Sequence, residues 1–382
     1  MRRLVLVCMA GLALLSAPSA QSRVPSAGLV AHEIATGLRG GYQVIPADLN
    51  KDGKVDLVVV ASGLTEFIWF ENPGWQRHVI AAGLTAPINT AAADLDGDGI
   101  PELALAHGFA TTPDKSAGIV TLYTHGKDVT APWTAREIDR VPTSHRLRWF
   151  TPEASRDRIL VNAPLCGPTA TAPDYRGKTP VYAYRAPAWT RETLPEAEEG
   201  VVHAIEPVRW DGAGSVLLSA GFMGIHRYER KGNAWSVSPV VAGDAAPWPK
   251  GGSSDVSMLR EGGPRMLAAI EPWHGNQVVV YREAGKSFER TVIDSSITDG
   301  HTLVAADLDG DGRDEIVVGE RQGAKSARLY RLSTTGAWTS SMLDEGGMAA
   351  AGCTAADLNG DGKLDVACVG TATANLKWYE GK

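Results

Sequence analysis

Short apolar runs bounded by glycine, proline and acidic residues recur along the whole chain. None is long enough for an amphipathic helix, so the pattern predicts strands. One kind of run is almost uniformly apolar, as in Leu57-Val-Val-Val-Ala61 and Leu103-Ala-Leu-Ala106. A second kind ends in an aromatic: Phe67-Ile-Trp-Phe70, Ile119-Val-Thr-Leu-Tyr123, Val181-Tyr-Ala-Tyr184, Ile225-His-Arg-Tyr228, Val278-Val-Val-Tyr281, Ala327-Arg-Leu-Tyr330 and Leu376-Lys-Trp-Tyr379, seven in all. A third kind opens on an aromatic, at Trp75, Trp133, Trp189, Trp235, Phe288 and Trp338. The seventh of this third kind is missing, and Leu29-Val-Ala-His-Glu-Ile-Ala-Thr-Gly-Leu38 near the start of the chain matches Gln76-Arg-His-Val-Ile-Ala-Ala-Gly-Leu84 instead.

An acidic string precedes the apolar run in four repeats, beginning at Asp48, Asp94, Asp307 and Asp357. Neighbouring copies are 46 and 50 residues apart, and the gap of 213 residues between the second and third copies holds three repeats whose string has decayed. Seven repeats of this length, with a strand of the last one supplied by the N-terminus, predict an all-β fold: a seven-bladed β-propeller of four-stranded blades closed by the N-terminal strand. An open solenoid would give no reason for the N-terminus to match a mid-repeat strand. Residues 28–382 are then a single domain, although a length of 382 residues alone would suggest two or three.

Composition changes this picture little. The 42 Gly belong to a turn-rich chain, and a net charge of −7 with no long basic run argues against nucleic acid as a partner. Residues 1–20 read as a signal peptide, with Arg2 and Arg3 before an apolar stretch from Leu4 to Leu15 and a small-residue segment from Ser16 to Ala20. The expectation is a secreted or periplasmic protein without a membrane span, the apolar stretch being well short of ~18 residues. Three cysteines follow the signal, too few for a disulfide scaffold. Cys353 and Cys368 flank the last acidic loop and are either a disulfide or two unbonded core residues, and Cys166 reads as a buried thiol.

Oxygen donors at alternate positions with a permissive glycine suit Ca2+. The ligand sets are Asp48, Asn50, Asp52, the Lys54 carbonyl and Asp56; Asp94, Asp96, Asp98, the Ile100 carbonyl and Glu102; Asp307, Asp309, Asp311, the Arg313 carbonyl and Glu315; and Asp357, Asn359, Asp361, the Lys363 carbonyl and Asp365. Up to four structural Ca2+ ions are expected. The motif Ala-Asp-Leu-Asp/Asn-Gly-Asp-Gly-x-x-Asp/Glu resembles the FG-GAP/VCBS repeat of integrin-like seven-bladed propellers. Three segments resemble, more narrowly, the propeller domain of the aldos-2-ulose dehydratases: Thr143-Ser-His145-Arg-Leu-Arg-Trp149, Ala269-Ile-Glu271-Pro-Trp-His274-Gly-Asn-Gln-Val-Val-Val-Tyr281, and Gly300-His301 before the third acidic string. That resemblance implies dehydration of 1,5-anhydrofructose or glucosone.

Propeller geometry orders the histidines. Counting six residues back from the acidic string gives His301, the decayed loop around Asp211 to Gly214 gives His203, and a loop one residue shorter gives His145, all at the channel mouth opposite the calcium turns. The returning strand adds His107, Glu271 and Glu320, with His274 just beyond. Clustered imidazoles and carboxylates bind a transition metal, Zn2+ by default, or supply a general base. In a keto-sugar dehydratase His145, His203 and His301 would be metal ligand or base, and His274 or Glu271 the acid. Tyr42, Trp273 and Arg321 would contact the sugar, with His107 and Glu320 beside them. The Pro/Gly-rich loop from Ala163 to Tyr175 would overhang the same face. The competing reading is a non-catalytic propeller that binds a glycan or a protein.

Overall fold

The structure, a computed structural model, describes residues 28–152, 157–211, 214–260 and 262–381, so the expected signal segment 1–20 lies outside the described residues. Seven four-stranded antiparallel sheets form the blades. Their inner strands are Gly41–Ala47, Asn89–Ala93, Ser144–Phe150, Val202–Asp211, Asp255–Leu259, Gly300–Ala306 and Ala350–Ala356. Each touches the inner strand of the next blade, and the seventh touches the first, which closes the ring. No helix among the described residues is long and apolar enough to cross a membrane.

The uniformly apolar runs are second strands, buried on both faces because a neighbouring blade covers each side. Asp56–Ala61, Ile159–Pro164, Glu315–Glu320 and Asp365–Gly370 are buried at every position. The core is therefore distributed between blades. Val58, Val60, Phe67 and Trp69 of blade one pack on Leu103, Leu105 and Tyr123 of blade two. Leu57, Val59 and Ile68 meet Ala367, Val369 and Leu376 of blade seven on the other side.

Blade seven takes its outer strand from the N-terminus, as its sequence pattern requires. Val30–Thr36 pairs antiparallel with Asn375–Glu380, with His32 opposite Trp378. The two rings stack at 4.5 Å, and His32 also bonds Glu380 at 3.0 Å. Cys353 and Cys368 face one another across the inner and second strands of the same blade and form a disulfide, so the first of the two alternatives holds.

The terminal tyrosines of the third strands fasten the blades. Tyr184, Tyr330 and Tyr379 donate to Asp139, Asp294 and Asp344 at 2.8, 2.7 and 2.9 Å, and each carboxylate lies at the end of the preceding blade's outer strand. Tyr228 donates to Glu198, in the segment that leads into blade four, at 3.3 Å, whereas Tyr281 bonds within its own blade, to Glu271 at 2.6 Å.

The four acidic strings are the turns between inner and second strands. In each, the first aspartate accepts the N–H of the glycine five residues on: Gly53, Gly99, Gly312 and Gly362, at 2.9–3.1 Å. These glycines have φ between 83° and 92°, a backbone region that side chains exclude. The last acidic residue of each string is buried and accepts a backbone N–H at its base: Asp56 from Leu49, Glu102 from Leu95, Glu315 from Leu308 and Asp365 from Leu358, at 2.8–2.9 Å.

Candidate active site

Sheets in a propeller stand radially, so side chains on an inner strand normally point into the neighbouring blades rather than at the axis. A β-bulge breaks that rule by re-aiming one residue. The register slips between Gly41 and Gln43, Ser144 and Arg146, Val202 and Ala204, Gly300 and Thr302, and Ala350 and Gly352. The residues left over are Tyr42, His145, His203, His301 and Ala351. The first four of these converge. Tyr42 Oη lies 2.7 Å from His145 Nε2 and 3.2 Å from His301 Nε2. The His203 ring centroid is 5.1 Å from that of His145 and 4.9 Å from that of His301. His274 joins from the turn after the second strand of blade five, with Nε2 3.1 Å from His203 Nε2.

Tautomers follow from the partners. His203 Nδ1 faces the Ser254 carbonyl at 2.9 Å and His301 Nδ1 faces the Ala351 carbonyl at 2.6 Å, so both nitrogens carry the proton and donate. In each case the acceptor is the equivalent residue of the next blade. Both rings thereby turn an unprotonated Nε2 inward, the arrangement that orients metal-binding imidazoles. The Arg321 guanidinium donates to His274 Nδ1 at 3.0 Å, so His274 carries its proton on Nε2 and gives it to His203. Asp299, paired with Arg321 at 2.8 Å, lies 3.4 Å from His274 Nδ1 and would accept from that nitrogen if the ring adopted the other tautomer. His145 differs: its Nδ1 is buried without a partner, while its Nε2 meets Tyr42 and, at 3.1 Å, Arg146 Nη1.

Burial is the main reason these imidazoles stay neutral. It holds His145, His203 and His301 well below the usual histidine range, reinforced by the Arg146 charge at all three and by Arg321 at His145 and His301. His274 is pushed down to about 3 by burial, then by Arg321 and Arg146. His203, His274 and His301 each offer a nitrogen within 4.8 Å of the other two, a donor set that fits a transition metal such as Zn2+ when His274 takes the tautomer whose Nδ1–H is given to Asp299. Oxygens of Asp94, Asp96 and Glu102, and of Asp307, Asp309 and Asp311, converge in the same way and fit Ca2+.

The cluster stands between two spaces. On the face opposite the acidic turns, the loop after the second strand of blade three packs Leu165, Cys166 and Tyr175 against Phe222, Trp248 and Trp273. It overhangs the site as its position in the sequence suggests, and Trp273 lies 4.6 Å from His274. Below, Tyr42, His301 and Arg146 border a cavity of about 400 Å³ in the central channel, with Arg148, Glu206 and Asp255 further along its wall. His145, His203 and His301 are only 1% exposed, so they form the channel's closed end rather than an open mouth.

Three expected residues are elsewhere. The Glu271 carboxylate, fully buried, is taken up by Ser253, Tyr281 and Arg290 at 2.9, 2.6 and 2.9 Å. Glu320 accepts from Thr298 N–H and Ser326 Oγ at 2.7 and 2.6 Å. His107 bonds Thr121 at 3.0 Å in a separate cleft with Lys115. The reason is radial. Second strands end on the expected face but stand one strand spacing, about 4.8 Å, farther from the axis, so their ends lie between blades. Conversely, Arg146 and Asp299 belong to the site without having been singled out. His32, His78 and His125 are held by Glu380, Glu71 and Asp98 on outer strands and turns.

Comparison with known proteins gives matches of two kinds. FG-GAP-like repeats match residues 34–105 and 307–368, and the β-propeller domain of aldos-2-ulose dehydratase matches residues 117–284. The aldos-2-ulose dehydratase of Phanerodontia chrysosporium is 26% identical over 306 residues, covering 70% of this chain and 32% of that protein. The chain thus spans about a third of that relative's length. Among solved structures, a chain of the mitotic checkpoint complex superposes with a TM-score of 0.59 at 10% identity, covering 99% of this chain and 98% of its own. Selenomethionine-substituted virginiamycin B lyase from Staphylococcus aureus gives 0.57 at 11% identity, covering 92% and 98%. These two likenesses show the fold alone.

Proposed function

We propose that the chain is an exported, calcium-braced sugar dehydratase acting on a keto-sugar such as 1,5-anhydrofructose. Residues 117–284, where the dehydratase propeller matches, supply His145, Arg146, His203 and His274. The observation that carries the reading is the cluster itself: four neutral imidazoles at one closed end, two with Nε2 turned inward by carbonyls of the next blade. His203, His274 and His301 would hold a divalent metal, Zn2+ by ligand type, and the four acidic turns would hold Ca2+. Such a metal, when bound, supplies Lewis-acid polarisation of the substrate carbonyl.

The chain's own residues divide the remaining work. His145 stands outside the metal-fitting triple, is neutral, and takes the proton from the carbon beside the carbonyl. Tyr42, hydrogen-bonded to His145, protonates the departing β-hydroxyl and is reprotonated by His145. Phe109, 5.4 Å from His145, and Trp273, 4.6 Å from His274, pack under the blade-three loop and shut water out from that side, while the sugar occupies the cavity bordered by Tyr42, Arg146 and His301.

Purified protein supplied with Ca2+ and Zn2+ should produce the rising absorbance of a conjugated enone from 1,5-anhydrofructose. His145→Ala should lower that rate by about 10²–10⁴-fold. Absence of enone with every keto-sugar offered overturns the proposal and favours a glycan- or protein-binding propeller.

A further inference from the structure

Arg146 neighbours His145 on the inner strand of blade three and is 7% exposed. A guanidinium withdrawn from water is costly unless a carboxylate pairs with it. Arg321 has Asp299 and Arg290 has Glu271, both at 2.8 Å. Arg146 has no carboxylate oxygen within ion-pair distance among the described residues. Its Nη1 instead donates to His145 Nε2 at 3.1 Å and to Tyr42 Oη at 3.4 Å, and its Cζ lies 5.3 Å from the Tyr42 ring centroid. The two acids of the cavity are engaged with others: Glu206 with Arg148 at 3.4 Å, and Asp255 with the Leu303 N–H at 3.0 Å. Arg146 lines the cavity, so the remaining N–H groups of its fork are open to an occupant.

We infer that Arg146 is a catalytic residue of the dehydration proposed above, donating to the substrate oxygen on which negative charge gathers; the inference rests on that reading. Breaking the C–H bond sends the proton to His145 and the electron pair, through carbon, to the carbonyl oxygen. The pair returns to form the C=C bond as the C–O bond to the β-hydroxyl breaks, and that group leaves as water with the proton from Tyr42. Arg146 makes and breaks no covalent bond. Its hydrogen bonds strengthen as the carbonyl becomes an oxyanion, so its contribution appears in the transition state and not in ground-state binding. A base and an oxyanion donor in direct contact also match the substrate, in which the acidic carbon and the carbonyl oxygen are two bonds apart.

The test compares wild type, Arg146→Lys and Arg146→Ala on 1,5-anhydrofructose. For Arg146→Ala, kcat should fall at least 100-fold with KM within threefold and the thermal midpoint not lowered; millimolar guanidinium should restore at least tenfold, and Arg146→Lys should be intermediate. A kcat within threefold of wild type, or a loss confined to KM, overturns the inference while leaving the dehydratase reading standing. Calorimetric titration with gluconate and with sorbitol gives a readout independent of turnover. If wild type is inert toward keto-sugars yet holds gluconate at least tenfold tighter than sorbitol, and Arg146→Ala abolishes that preference, the dehydratase reading falls and the oxyanion pocket stays. Inert wild type without such a preference removes both.

Discussion

Single residues decide where chemistry is possible in this ring. His145, His203 and His301 were legible because position is counted from the acidic string, and a bulge at that count turns each side chain to the axis. Arg146 was not legible, since its significance lies in lacking an acid partner, which only the folded ring reveals. Glu271 and Glu320 show the complementary limit: spacing along a strand gives the face reached but not the distance from the axis. Asp255 also belongs to this scale. Burial in the channel, with help from Glu206 and against Arg146 and Arg148, raises its carboxyl from 3.8 to about 7. Between those values the folded protein binds more protons than the unfolded chain, so the Asp255 contribution to stability falls as pH rises. Asp255→Asn keeps an acceptor for Leu303 N–H and removes the charge. Urea melts should show the variant gaining on wild type between pH 5 and pH 8; a pH-independent difference would contradict this.

Individual strands were readable almost throughout, because aromatic openers and terminal tyrosines mark them in the chain. The seventh outer strand was found by likeness to Gln76–Leu84, and it pairs where that likeness places it. Blade three departs most, its outer strand shrinking to Glu192–Thr193 although Trp189 announces it as in the other repeats. The purpose of the tyrosines was invisible in sequence, since their acids lie 35–45 residues away, as Tyr379 and Asp344, Tyr330 and Asp294, and Tyr184 and Asp139 show. Each of these bonds ties one blade's third strand to the preceding blade's outer strand. Tyr330→Phe should cost about 1.5 kcal/mol in denaturant melts, the loss of a hydrogen bond to a charged acceptor. The remaining Asp294 partners, Ser296 and Arg328, keep the effect from growing larger.

For the molecule as a whole, the closure is what turns seven repeats into one cooperative object. Removing residues up to Thr36 strips the partner from Asn375–Glu380 and exposes an unpaired edge. Such a chain should melt earlier and less steeply and scatter light at concentrations where the intact ring stays clear; an unchanged midpoint would show that closure contributes little. The bulge position has a further consequence at this scale. Read around the ring, the bulged residues are Tyr42, His145, His203, His301 and Ala351. Backbone bonds, not these side chains, hold the strands in register, so side chains there can be exchanged without rebuilding a blade. Divergence to a new reaction, in nature or by design, is then a matter of rewriting those five positions while the blades around them stay as they are.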